Sequence, residues 1–389
     1  QIMNISTISN KKDIKEFHGI PYIIYKKNKN WIPHIIQEVE AIFNPLKNKF
    51  HSHGEVERFI LRDDDKNLIG RIAVFIDKRK LENQTQPTGG LGFFECINNQ
   101  QAADLLFSTC VKWLKKRGIE AVDGPINFGE RNKYWGLLIE GFEKHYVHGQ
   151  NYNPKYYKDL FENFGFKKYF NQHVYCKDLS IPYPEKFYER SNRIFNRKNF
   201  HFDHMRGNDF KKYAKYFVEI YNAGWKTHHG FKEMKLEHGE KMFKKMKSVI
   251  DKKLLWFGFY GDVPICFFIG IPDPNQYLKY INGNLDFLGK IKFLYHQKTK
   301  KSKICAALVF GVQPKFQKLG LESALADIVT KRIRKVGYTH VIQTWVGDFN
   351  PKMIKVCESF LGSEIYQKLT TYRYLFDRDA KFIECPVVK

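Results

Sequence analysis

Between Val309 and Leu325 the chain reads VFGVQPKFQKLGLESAL: a strand-like run enters a turn at Pro314, and Gly320 opens an apolar-periodic helix. Backbone N–H groups at a helix start have no intrahelical acceptor and carry partial positive charge, so they suit a bound phosphate. Gly320 admits a close ligand with no Cβ in the way, and Gln317 and Lys318 add a donor and a charge. An ordinary strand-to-helix turn has the same outline, so this pattern alone leaves both uses open. A second group with chemical capacity is His228 and His229 in GWKTHHGF, which titrate near neutral pH, with a plain surface loop as the alternative. Trp225 and Phe231 wall a pocket there or belong to a core. The seven cysteines form no C-x-x-C pair and no His/Cys cluster, which points to neither a disulfide framework nor a metal site.

The elements that must position these groups occur twice. Asn153-Pro154-Lys155 is answered by Asn350-Pro351-Lys352, Gly165 by Gly362 and Tyr175 by Tyr372, all at an offset of 197. Each copy predicts a helix opened by Asn-Pro (153–164 and 350–361), a glycine stop, and a strand ending in QHVYCKDL or LTTYRYLF. Upstream lie the strand pairs ERFILRDDDKNLIGRIAVFI and LLWFGFYGDVPICFFIGI. A further strand follows in each, GLGFFECI or ICAALVFGV, then an amphipathic helix (101–117 or 320–336), then another strand. Helices are also predicted over 208–222 and 235–250. The stretch from Gly118 to Asn153 runs about 22 residues longer than that from Gly337 to Asn350. Its extra segment, 126–150, is rich in aromatics and glycine, and serves either as a functional loop or as a flap over a sheet edge.

A chain of 389 residues with 43% hydrophobic content supports two folded domains, and the two prolines of SIPYPE put their boundary near 182/183. The units expected are 1–182 and 183–389. No apolar run approaches the ~20 residues that cross a bilayer, and residues 1–20 hold no apolar signal core, so a cytoplasmic location is the default expectation. A net charge of +24 favours polyanionic partners. Its densest run, Lys290 to Lys303, reads as a solvated loop, with a phosphate or lipid-headgroup site as the other use.

With these residues in place, the loop resembles motif A of the GNAT N-acyltransferase superfamily, V-x-P-x-x-[QR]-x-x-G-x-[GA]. Val312, Pro314, Gln317 and Gly320 match, whereas Glu322 stands where Gly or Ala is asked for. The layout is similar to two-copy GNAT proteins that carry sequences like GFFECI, GPINF and YNAGWKTHHGF. The resemblance implies an α/β fold of two tandem GNAT-like halves, each a mixed, mostly antiparallel sheet flanked by helices, with acetyl-CoA or a longer acyl-CoA as co-substrate. It implies that the Val312 N–H polarises a thioester carbonyl, that Gln317 and the backbone of Lys318, Leu319, Gly320 and Leu321 hold the pyrophosphate, and that Asn350 meets the pantetheine arm, though Asn350 equally serves as an N-cap. The family often has a Tyr acid seven residues after that Asn. Cys357 stands there, and Tyr372 and Tyr374 are substitute acids unless they are core phenols. The first half lacks the Q-x-x-G loop, which makes it a degenerate copy.

These expectations converge on an acyl-CoA-dependent N-acyltransferase whose small-molecule or amphiphilic amine binds between the halves, near GWKTHHGF and segment 126–150. His228 and His229 are its candidate bases, beside a water-mediated route. Peripheral membrane contact is compatible with the basic surface. The competing expectations are a catalytically silent GNAT-like binding module and, last, a nucleic-acid binder, for which no recognised motif appears.

Overall fold

The computed structural model describes residues 3–82, 84–225 and 233–388; His228, His229 and Phe231 lie outside them. The first half runs β1 (Asn4–Thr7), α1 (Lys11–Ile24), α2 (Ile36–Ile42), β2 (Gly54–Arg62), β3 (Leu68–Asp77), α3 (Lys78–Leu81) and β4 (Thr88–Cys96). It continues with α4 (Gln100–Lys115), β5 (Ala121–Gly124), β6 (Leu137–Glu140), α5 (Tyr157–Phe164) and β7 (Lys167–Asp178). The second half runs α6 (Glu185–Phe195), β8 (Phe200–His204), α7 (Phe210–Trp225), α8 (Leu236–Met246), β9 (Leu255–Tyr260), β10 (Val263–Pro272), α9 (Asn275–Leu278) and α10 (Phe287–Thr299). After these come β11 (Ile304–Val312), α11 (Leu321–Lys335), β12 (His340–Gln343), β13 (Val346–Gly347), α12 (Pro351–Lys355) and β14 (Glu364–Leu375).

The strands join in one mixed, mostly antiparallel sheet in the order β1-β2-β3-β4-β5-β14-β7-β12-β11-β10-β9-β8, with β6 and β13 beside its middle. The last strand of each half pairs into the other half. Thus β14 lies against β5, with Tyr372 opposite Gly124, and β7 lies against β12, with Cys176 opposite Ile342. The two exchanged strands pair with each other along their length. The repeated tyrosines cross over as well: Tyr175 donates to Glu358 at 2.8 Å and Tyr372 to Glu162 at 3.0 Å. Arg373 holds Asp123 through bonds of 2.6 and 2.8 Å, a bidentate geometry that fixes β14 on β5.

Each half has its own core, one around Leu106, Phe107 and Phe161, the other around Phe217, Phe267 and Leu325. A third, with Tyr25, Tyr146, Val174, Tyr277, Phe293 and Leu369, joins them. Segment 126–150 feeds this junction: the His148 N–H donates to Asp273 at 2.9 Å, Asn275 donates to the Tyr146 carbonyl at 2.9 Å, and the His148 ring meets Glu38 at 2.9 Å.

Two sequence expectations change. Asn153 does not open a helix: its amide bonds both the N–H and the carbonyl of Leu138, at 2.7 and 3.0 Å, as a strand partner would, and α5 starts at Tyr157. The Lys290–Lys303 run is not a loop over most of its length. Its residues up to Thr299 belong to α10, because Asp286 caps that helix by accepting from Gly289 N at 2.8 Å and Phe293 anchors it in the junction core.

Candidate acyl-CoA cleft

In the second half β11 runs parallel to β12 only from Ile304 to Ala307, and the two strands then part. Beyond that point β11 stays paired to β10 on its other side, so the gap opens on one edge alone. Two apolar side chains of the freed stretch, Leu308 and Phe310, are left 38% and 40% exposed. Among the described residues this strand edge is unpaired, and with its apolar side chains it is the setting for strand addition.

At the end of β11 the turn is braced from inside. Gln313 donates to the Pro264 carbonyl at 2.8 Å, and Gln317 donates to the Val312 carbonyl at 3.2 Å. The Gln317 side chain therefore holds the loop to the strand end. Lys318 and Gly320 have φ of 64° and 103°, both in the left-handed region. Among the described residues the N–H groups of 318–323 meet no acceptor, and the first helical bond is Ala324 N to Gly320 O at 3.1 Å. Gly320 is required twice over: by its left-handed backbone, and because a Cβ would come within 2.9 Å of the Arg190 carbonyl of α6. At Leu319 the turn borders a depression of about 440 Å³ on the β8–β9 side, lined also by Arg197, Lys198, Phe200, Tyr260, Lys315 and Phe316. Free amides with cations close by suit a bound phosphate.

Of the residues expected at a site, Val312 (buried), Gln317, Lys318, Leu319, Gly320 and Leu321 come together in this turn. Asn350 caps α12, accepting from Met353 N at 3.2 Å. Cys357 is buried, and burial pushes its thiol up to about 12. Tyr372 and Tyr374 lie elsewhere. Their strand stands three places from β11 in the sheet, about 14 Å at normal strand spacing, and both pack in the first half, against Phe161 and Phe164 respectively.

The corresponding opening in the first half is filled. β4 and β5 also part after Gly90, but Ile126 N donates to the Leu91 carbonyl at 2.7 Å and its backbone covers Gly92. Beside this closure is a buried polar group that the sequence pattern did not disclose. Tyr157 donates to Glu95 at 2.7 Å, and Arg71 approaches Glu95 at 3.7 Å while donating to the Phe17 carbonyl at 2.8 Å. Burial raises the Glu95 carboxyl to about 7 against the opposing pull of Arg71 and Tyr157. The group borders a void of about 30 Å³, room for one water, and among the described residues Arg71 Nε has no partner. Arg71, Glu95 and Tyr157 are far apart in sequence, so the one available signal was a carboxylate inside the apolar run GFFECI.

Solved structures with this arrangement define the class. The chain aligns over 96% of its length with 98% of a tandem GNAT protein of the clavulanic acid biosynthesis pathway, at TM-score 0.53 and 8% identity. It also matches a GCN5-related glucosamine N-acetyltransferase region in a fungal multi-domain GH3 β-N-acetylglucosaminidase, at TM-score 0.51 and 11% identity, spanning 38% of that longer chain. The protein has a tandem GNAT fold.

In sequence it is similar to the bacterial ceramide synthase of Caulobacter vibrioides, 25% identical over 382 residues that cover 95% of this chain and 97% of the relative. Protein YghO of Escherichia coli is 24% identical over 381 residues, covering 95% and 94%. No protein-family model matches the chain.

Proposed function

We propose that the protein is an acyl-CoA-dependent N-acyltransferase that joins a long acyl chain to an amphiphilic amine. The observation that carries this is the pairing of unbonded amides at 318–323 with the exposed apolar edge at Leu308 and Phe310. Phosphates sit on the amides and on Lys315, and the pantetheine arm lies along the open edge of β11. The amine attacks the thioester carbonyl, the C–S bond breaks, the Val312 N–H stabilises the developing oxyanion, and the amine proton passes to base or water while the thiolate is protonated. The acceptor enters between the halves on the side of segment 126–150, whose Arg131 carbonyl accepts from Trp345 at 3.2 Å just past the point where β11 and β12 part. Similarity along nearly the whole chain to a protein named a ceramide synthase favours a long-chain amine and a lipid amide product.

The test is a calorimetric titration with acetyl-CoA and palmitoyl-CoA on the wild type and on Phe310→Asp and Leu319→Glu, both at exposed positions. Affinity on the order of micromolar, weakened roughly tenfold or more by either carboxylate, is expected, with palmitoyl-CoA the tighter ligand. Failure to bind either thioester overturns the proposal. A second proposal, binding without turnover, draws on the buried Cys357 thiol where a tyrosine acid is usual; it predicts acyl-CoA binding with no thiol release in the presence of long-chain amines.

A further inference from the structure

α10 has two apolar faces, and only one is used. At 100° per residue Gly289 and Phe293 share the face packed into the junction core, where the Phe293 ring meets Tyr277 at 5.8 Å. On the opposite side Phe287, Leu288, Ile291, Leu294 and Tyr295 share an arc of about 120°, and all five are exposed. Phe287 at 77%, Leu288 at 65% and Tyr295 at 62% are far more open than a scattered surface residue needs to be, and they are contiguous. Lys290 and Lys292 border the arc on either side, and Lys298 ends it. Residues 279–303 hold seven lysines against one acid, Asp286, which is engaged in capping the helix. Among the described residues no carboxylate forms an ion pair with Lys290, Lys292, Lys298 or Lys301.

We propose that this face of α10 docks the protein on the surface of an anionic lipid bilayer. A helix of 13 residues is about 20 Å long, too short to cross a bilayer but suited to lying in its interface with the apolar arc inserted and the lysines at headgroup level. Among the described residues no helix is long and apolar enough to span a membrane. Charge selects this occupant over the others. A second copy would set lysine against lysine across the contact, and a nucleic acid backbone offers nothing to five apolar side chains. The start of the helix is anchored to its surroundings. A Cβ at Gly289 would lie 2.0 Å from the Asn284 carbonyl, and Leu285 N donates to Gln37 at 3.0 Å, tying the segment to the first half.

The inference does not depend on the acyltransferase proposal, since vesicle binding requires no substrate. The full chain is floated with phosphatidylcholine vesicles with and without phosphatidylglycerol. Binding to the anionic vesicles alone is expected, falling roughly tenfold in Lys290→Glu/Lys298→Glu and at least as far in Phe287→Glu/Ile291→Glu. All four side chains point to solvent, and far-UV circular dichroism verifies that each variant is folded. As a direct readout, Leu288→Trp acquires an emission blue shift on anionic vesicles. Absence of vesicle binding, binding unchanged by the apolar pair, or a Leu288→Trp emission that does not move overturns the proposal. So does a concentration-dependent dimer that the apolar pair abolishes, which makes the face a self-association surface.

Discussion

The ends of β4 and β11 occupy the same place in the two halves, and they have been put to opposite uses. Four residues before the end of β4 stands Gly92, where an added Cβ would sit 1.8 Å from the Ile126 carbonyl; four before the end of β11 stands Leu308, open to solvent. Both strands part from their parallel neighbour, but in the first half backbone closes the gap and a Glu95–Arg71–Tyr157 group is sealed beside it. In the second half, among the described residues, no backbone pairs with that edge of β11 beyond Ala307, and the strand leads into amides without acceptors. A duplicated frame therefore does not duplicate a site: one backbone segment crossing the opening separates a cleft from a core.

The sharpest way to break this comparison is to exchange the two residues' roles. Gly92→Leu is expected to lose at least about 3 kcal/mol or fail to fold, because rigid backbone meets the new side chain, whereas Leu308→Ala stays within about 1 kcal/mol of wild type in urea unfolding. Equal losses at both positions would sink the contrast.

A smaller effect concerns the sealed carboxyl. Glu95 is held at about 7 in the folded chain, against an ordinary value near 4.5, so between these values the folded state keeps a proton that the unfolded state has released. Stability from this group is thus lost as pH rises through that window. Glu95→Gln keeps the Tyr157 bond and removes the titration, so unfolding at about pH 5 and about pH 8 is expected to favour the variant at the higher pH by on the order of 2 kcal/mol. A difference independent of pH would show that Glu95 ionises normally. The smallest effect is expected at Asn350, where Asn350→Ala costs about 1 kcal/mol through loss of the cap. An accompanying loss of acyl-CoA affinity assigns Asn350 a ligand contact as well.

What could be read in advance followed from local rules. The order of elements, the glycine stops at Gly165 and Gly362 and the turn at Pro314–Gly320 each depend on neighbours within a few residues. The exchange of β7 and β14 was not legible, because two strands of similar pattern at an offset of 197 suit either sheet and local chemistry does not choose between them. Glu95, Arg71 and Tyr157 meet only through the fold. Asn153 and Asn350 show the limit of a shared motif: the same dipeptide caps a helix in one half and imitates a strand in the other, because β6 runs beside only the first. The lysine run masks α10, because the apolar residues that define the helix are interleaved with its charges.

The exchanged strands also set a timetable for synthesis. Asp123 and its partner Arg373 are 250 positions apart, so at about 5–20 residues per second β5 leaves the ribosome on the order of ten seconds or more before the strand that covers it exists. Throughout that interval the edge of β5 is an unpaired template, open to the wrong strand or to another nascent chain. The two halves cannot mature one after the other. The first is finished only by the last strand of the second, and the closing step is shared by both.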